Sequence, residues 1–492
     1  MSLLKALVTM ELVDSDLEHL GEEGIIPPLL SMVASGNIES KELSLSVLVK
    51  LSGCHANKEL IAANGGVPLV LKLMSSSHVR TILIVRCCEI VEKLSSEGDG
   101  VKFFVDEKGF QLELKPIIID LLALQQNAYS SNNFRRPALR ALLGICKSEA
   151  GLVKTAVSTA SGVSLVLPLL DDPDSEVREI AINLLFLFSQ HEPQGVVEYL
   201  RKPKRLEALV GFLENDQNSD VQMAAAGLLA NLPKSEISLT TKLIELDGLS
   251  AIINLLKSGT VEAKEHALSA LFRFTDPTDV RSQQIVVEQG AYPLLVNFLR
   301  VGSVTAKARA AALIGNLSMS SPKLTAASKK TGYWCFRTSR VPLCPAHGGI
   351  CSVNTSFCLL EAKALPCLVK LLYGEVEATA YEAIQTLSTL VQERCPQKGA
   401  NVLHEAEAIK PVLEILTWGT DSLKEEALGL LEKVFVSKEM VENYGSRARY
   451  LLVGLTGRNV QDDGRPGRKV AKVLSLLERY SKSSTSIIPG LF

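Results

Sequence analysis

The sequence predicts an all-α solenoid, a right-handed superhelix of stacked helical units, and three observations carry that prediction. A phrase recurs about every 42 residues: a Gly, an apolar stretch, a short polar break and a longer apolar-periodic helix. Its copies begin near Gly24, Gly66, Gly162, Gly248 and Gly290, with looser ones near Pro203, Ala364 and Ala408. Apolar residues fill 47% of the 492 positions while aromatics supply only 5%, so the core must be built from small and aliphatic side chains, which suits closely stacked helices. Finally, Pro27, Pro68, Pro168, Pro293, Pro366 and Pro411 sit near the start of the middle helix of their units, where a missing backbone donor costs nothing. A unit of this size cannot bury its own apolar face and must stack on its neighbours.

In the first clear unit Ile25, Ile26, Leu29, Leu30 and Val33 follow helical spacing, Ser35-Gly36-Asn37 breaks it, and Leu43 to Leu51 resumes it. Ser40, Asn37 and Ser35 compete to cap the later helix. The unit at Gly248 repeats the layout through Leu249, Ile252, Ile253, Leu255 and Leu256, the break Ser258-Gly259-Thr260, and a helix from Val261 to Phe274. Arg281 to Glu288 then reads as a short helix leading into Gly290. Three helices in about 42 residues fit the armadillo period, so the fold is expected to be armadillo-like. Ala224-Ala225-Ala226-Gly227 and Ala308 to Ala312 read as core where helices approach closely. The pattern weakens from Ser96 to Ser131, with an apolar run from Lys115-Pro116 to Leu124 and an exposed loop expected over Gln125 to Asn133.

A larger interruption divides the chain. Residues 1–327 are expected to be repeats, 328–357 an inter-helix insertion, 358–440 further repeats, and 441–492 a basic helical cap and tail. The insertion carries Cys335, Cys344, His347, Cys351 and Cys358. Zinc needs four such ligands in a tetrahedron, and Cys344-x-x-His347 offers half a site. The other spacings are irregular, and Tyr333, Trp334 and Phe336 could close an apolar loop unaided. The favoured reading is therefore a structural loop, with no metal and no cofactor required. The other thiols, including Cys87-Cys88 in a helical run, read as small buried hydrophobes without a redox pair.

Catalytic residues are not expected. His191-Glu192 and Glu265-His266 lack the second histidine of a zinc-protease helix, no Gly-rich phosphate loop follows a strand, and no serine stands in a nucleophile elbow. With Lys plus Arg at 52 against Asp plus Glu at 54, the formal charge of −2 gives no case for nucleic acid. Acidic groups within Met1 to Leu20 argue against a secretory signal, and no apolar run is long enough to span a bilayer. An intracellular, reducing location is expected, and Asn316 and Asn354 are not expected to carry glycans.

Two surfaces remain as candidates for binding. The last helices of the units would line the concave face, where Asn183 and Asn316 are the proposed contacts to a peptide backbone, with helix–helix hydrogen bonding as the competing role. In residues 441–492 nine basic side chains face four acidic ones, and Arg465, Arg468, Lys469 and Lys472 beside the stripe Val470, Val473, Leu474 and Leu477 suit an anionic membrane surface. The competing reading is a terminal cap with a solvated basic face.

Gly24-Ile25-Ile26-Pro27, Ser40-Lys41-Glu42-Leu43, the run Arg340-Val341-Pro342-Leu343-Cys344-Pro345-Ala346-His347-Gly348-Gly349 and Phe357-Cys358-Leu359-Leu360 together resemble the armadillo part of plant U-box ubiquitin ligases, particularly the senescence-associated group. The resemblance extends over most of the chain. It implies a role in the ubiquitin pathway, with intracellular proteins and complete U-box relatives as partners, in the cytoplasm or at the inner face of the plasma membrane. A U-box recruits its conjugating enzyme noncovalently, so no thiol here is expected to carry ubiquitin. No U-box is recognisable before Gly24, so the chain is read as a nonenzymatic scaffold, substrate adaptor or regulator. The alternative is an E3 ligase whose U-box is missing from this chain or supplied in trans. An armadillo cargo carrier for basic localisation peptides would need a tryptophan ladder, and only Trp334 and Trp418 are present.

Overall fold

The computed structural model describes residues 2–76, 79–96, 100–106, 108–109, 112–126, 132–148, 151, 153–154, 162–202, 204–215, 217–326, 342–456 and 465–484. Among these residues the chain is all-α, with an isolated antiparallel bridge between Ala326 and Ile350. It divides into two compact units, Met1–Ser235 and Glu236–Phe492. Each is an armadillo-like stack.

In the N-terminal unit the last helices of successive repeats pack in order: Ile38–Leu51, Thr81–Ser95, Asn132–Ser148, Ser175–Ser189 and Ser219–Asn231. In the C-terminal unit the series is Val261–Leu271, Val304–Leu324, Glu377–Ser388, Asp421–Val434 and Arg465–Ser484. Middle helices stack as a second row beside each series. In the C-terminal unit that row is Gly248–Ser258, Ala291–Val301, Leu365–Leu372, Ile409–Trp418 and Lys438–Thr456. The core lies between the rows and is aliphatic, as composition required: Leu268, Leu313, Ile314, Ile384, Leu387 and Leu428 are fully buried.

A recurrent turn joins middle to last helix. Gly36-Asn37, Gly259-Thr260, Gly302-Ser303 and Gly419-Thr420 occupy equivalent corners, and each second residue caps the helix that follows. Asn37 takes the N–H of Ser40 at 2.9 Å, which settles the competition at that corner in favour of Asn37. At Gly302 a Cβ would lie 2.6 Å from the Phe298 carbonyl oxygen, so the corner requires glycine for its close approach.

At the other corner, where a first helix enters a middle one, the backbone swings into the left-handed region. Glycine serves at Gly24, Gly65 and Gly290, but Lys204, Asp247, Lys363 and Glu407 hold the same conformation with φ of 63°, 57°, 57° and 55°. That geometry costs a non-glycine residue about 1–2 kcal/mol, offset in part by the chain entropy glycine loses on folding. Asp247→Gly is therefore expected to stabilise the C-terminal unit by up to about 1 kcal/mol in urea unfolding. Equal or lower stability would show that the Asp247 side chain offsets the strain.

Several expected boundaries shift. The helix read as Val261 to Phe274 is α-helical to Leu271 and closes with a 3₁₀ turn at Phe272–Phe274. Gln125 and Gln126 belong to the helix Leu114–Gln126 rather than to a loop, and the next helix begins at Asn132. Residues 127–131 lie outside the described residues. The helix Lys438–Thr456 runs through the boundary drawn at residue 440 and takes a middle-helix place, because its neighbours are Ile409–Trp418 and Arg465–Ser484. In the insertion, residues 328–341 lie outside the described residues, while Val353–Ser356 forms a short helix.

Candidate functional site

The insertion stands where a repeat would place its first helix. Val280–Glu288 is the first helix of one repeat and Pro396–Glu405 that of a later one. Among its described residues the intervening repeat supplies the four-residue helix Val353–Ser356, packed on Val280–Glu288, and the turn around Gly348, which meets Lys398 on the other side.

Backbone bonds fold this segment tightly. After Pro345 the chain reverses: Cys344 N donates to Gly349 O at 2.8 Å and Gly348 N to Cys344 O at 2.7 Å, with Gly348 at φ +70°. Ile350 then bonds both ways with Ala326 at 2.9 and 3.3 Å, which fixes the turn to the end of the helix Val304–Leu324. Ser352 caps the short helix through the N–H of Thr355. Phe357 adopts a left-handed conformation that returns the chain to the turn, and its carbonyl accepts from the fully buried Tyr292 hydroxyl at 3.1 Å.

These bends gather Cys344, His347, Cys351 and Cys358, whose sulfur and ring-nitrogen atoms all lie within 4.8 Å of one another. His347 Nδ1 is 3.4 Å from Cys344 Sγ, 3.3 Å from Cys351 Sγ and 3.6 Å from Cys358 Sγ, and Cys344 and Cys358 sulfurs are 3.9 Å apart. Cys344 and Cys358 are buried; His347 and Cys351 are half-buried. The Cys344 thiol is pulled down to about 3, chiefly by its contact with Cys358, against the upward push of burial, with the His347 ring and the N–H groups of His347 and Ala346 adding to the pull. Cys358 is pushed far up by that same contact and by burial, although the N–H groups of Glu361 and Leu360 pull the other way. Burial also raises Cys351. Cys335, the fifth candidate, lies outside the described residues.

Among the other thiols, Cys87, Cys88 and Cys146 are buried. Cys87 and Cys88 are fully buried, and burial alone pushes Cys87 up to about 12. Cys146 behaves alike.

The candidate groove residues are engaged inside the protein. Asn183 is buried and donates to the Glu179 carbonyl in its own helix at 2.9 Å. Half-buried Asn316 donates to Thr275 Oγ1 at 3.4 Å, at the end of the preceding repeat's last helix, while its backbone carbonyl accepts from Gln283. On the last helices of the C-terminal unit half-buried acidic groups meet. Glu382 is held above the usual carboxylate range, first by burial and then by Glu426 on the next last helix. Tyr381 is raised by burial and by Glu426, Glu382 and Glu425. Sequence reading missed this seam because its members lie 44 positions apart (426 − 382) and meet only through repeat stacking.

Of the basic candidates, Lys469 pairs with Glu425 at 3.4 Å and Lys472 with Glu432 at 3.5 Å, while Arg468 is exposed. Arg465 opens the helix Arg465–Ser484. Val470, Val473 and Leu477 are buried, and this helix packs on Asp421–Val434 and Lys438–Thr456. No helix among the described residues is long and apolar enough to cross a membrane.

Fold and repeat geometry define an all-α helical-repeat protein. A solved structure described as an engineered protein matches 92% of this chain and 98% of its own with a TM-score of 0.63 at 19% identity, which shows the fold alone. No family model matches the sequence. Among individual proteins the chain is similar to plant U-box proteins. It is 26% identical to U-box domain-containing protein 24 of Oryza sativa over 84% of this chain and 56% of that one. It is 24% and 25% identical to U-box domain-containing proteins 44 and 43 of Arabidopsis thaliana, over 87% and 88% of this chain and 57% of each of those. The chain thus spans little more than half the length of these relatives.

Proposed function

We propose that this chain is a nonenzymatic protein-interaction scaffold in ubiquitination, a substrate adaptor or a regulator of complete U-box proteins, working through the exposed faces of its last helices. The carrying observation is the extent of the similarity: 84–88% of this chain aligns, against 56–57% of each relative, so the shared part is the helical-repeat array. Arrays of this kind bind by extended surface. Here the Glu382–Glu426 seam favours a partner segment rich in Lys or Arg, because a cation relieves the repulsion between the two carboxylates.

The names of the relatives favour one second reading, an E3 ligase whose U-box is supplied elsewhere or in trans. A reconstituted ubiquitination assay separates the two, with the purified chain, a panel of conjugating enzymes and a complete U-box protein as control. The scaffold reading expects no conjugation by the chain alone. Robust conjugation with the control active would sink it. In parallel, Glu382→Lys/Glu426→Lys is expected to weaken capture of Lys- and Arg-rich peptides about tenfold with helix content unchanged. Undiminished capture by the folded variant would remove the seam from the binding surface.

A further inference from the structure

We propose that His347 Nδ1 and the sulfurs of Cys344, Cys351 and Cys358 bind one Zn²⁺ in a tetrahedral Cys₃His site, the folding core of the segment that replaces a first helix.

Stereochemistry is the first argument. Zinc with bonds of about 2.3 Å to sulfur and about 2.0 Å to nitrogen requires edges of about 3.8 Å between sulfurs and about 3.5 Å between sulfur and nitrogen. Four of the six edges are 3.9 Å between the Cys344 and Cys358 sulfurs and 3.3, 3.4 and 3.6 Å from the nitrogen to the three sulfurs, and all six lie within 4.8 Å. A single ring nitrogen has one proton or one lone pair, so it hydrogen-bonds only one of the three sulfurs it touches, and the approach of all three exceeds what that bond needs. Four ligand atoms gathered within 4.8 Å of one another are what a metal ion requires.

The backbone supplies a second, independent argument. Cys344 receives N–H groups from Ala346 and His347, two and three residues on, and Cys358 receives them from Leu360 and Glu361 at the same offsets. The same local turn thus presents both sulfurs to one place, 3.9 Å apart in a buried site. On binding, the three thiols release their protons, the imidazole binds neutral through Nδ1, and the site carries one net negative charge. Lys398 stands ready to offset it, since a Cβ at Gly348 would collide with its ammonium group. Tetrahedral sulfur–nitrogen coordination selects zinc over magnesium, calcium or manganese.

The third argument is packing. An ordinary first helix contributes buried aliphatic residues, as Val286 and Val287 do in Val280–Glu288. Among its described residues the replacement segment has one four-residue helix and buries Cys344, Ala346, Phe357 and Cys358. So few apolar contacts need a substitute, and metal coordination supplies it in small modules.

The test uses the full chain purified without chelator. Elemental analysis is expected to find about one zinc per chain, and exchange with Co²⁺ to produce the intense visible and near-ultraviolet bands of a tetrahedral thiolate site. Cys344→Ser and Cys351→Ser should each lose the metal, whereas Cys367→Ser, outside the cluster, should keep it. Because the serine variants could misfold, wild-type protein is also followed by hydrogen exchange across residues 342–358, where chelator should speed exchange and added Zn²⁺ restore protection. Folded wild-type chain that takes up no zinc from a Zn²⁺-containing buffer overturns the site. So do an octahedral cobalt spectrum, a Cys344–Cys358 disulfide that forms equally with Zn²⁺ present, or metal retained after both serine changes.

Discussion

Gly399→Ala is expected to destabilise the C-terminal unit by about 3 kcal/mol, a large effect for one methyl group. Gly399 lies in the first turn of Pro396–Glu405, and that helix begins immediately after the chain leaves Glu377–Ser388. A Cβ there would meet Leu390 C at 2.7 Å and Val391 Cα at 2.8 Å, backbone atoms with no rotamer by which to withdraw. The helix would have to move as a body, carrying Lys398 away from Gly348 and disturbing the Cys/His turn. Gly429→Ala provides the contrast. Its Cβ would find only Lys469 Nζ at 3.5 Å, an ordinary contact, and the gain in helix propensity should stabilise by about 0.5–1 kcal/mol. Urea unfolding of the two variants measures both, and similar effects from the two would show that the corner at Leu390 yields.

Arg135→Met should cost the N-terminal unit about 2–3 kcal/mol. Asp172 follows a 3₁₀ turn at Leu167–Asp171, its side chain is 4% exposed, and Arg135 Nη1 reaches it from the neighbouring last helix at 2.6 Å. Removal of the guanidinium leaves a buried carboxylate to which the Asp174 N–H still donates at 3.0 Å. Most of the loss therefore reflects an orphaned charge rather than the net worth of the pair. Adding Asp172→Asn to Arg135→Met should recover part of the stability, and the double-mutant cycle should show positive coupling little affected by salt. Independent, additive losses would place the Asp172 carboxylate effectively in solvent.

The two sites explain how far a sequence of this kind can be read. Helices, corners and caps were legible because each depends on residues three or four apart: the break at Gly259-Thr260 stops one helix and starts another through a single side-chain contact at 3.2 Å. The role of the Cys/His segment was not legible from spacing. Cys344-x-x-His347 lies within one turn, but Cys351 and Cys358 join it only because Ala326 pairs with Ile350 and Phe357 turns left-handed after a four-residue helix. The irregular intervals that favoured a metal-free loop were the lengths of those detours.

Asn183 and Asn316 show the converse. Both lie on last helices as expected, yet helix phase turns their amides toward carbonyl and hydroxyl partners within the protein, and the half-buried seam falls instead to Tyr381, Glu382 and Glu426. By itself the sequence determined the all-α repeat, its aliphatic core and its period, since these follow from apolar spacing and turn residues within one unit. Which side chains meet across repeats, the four ligands of the insertion and the two carboxylates of the seam, was decided only by tertiary packing, because stacking brings together residues that no local pattern connects.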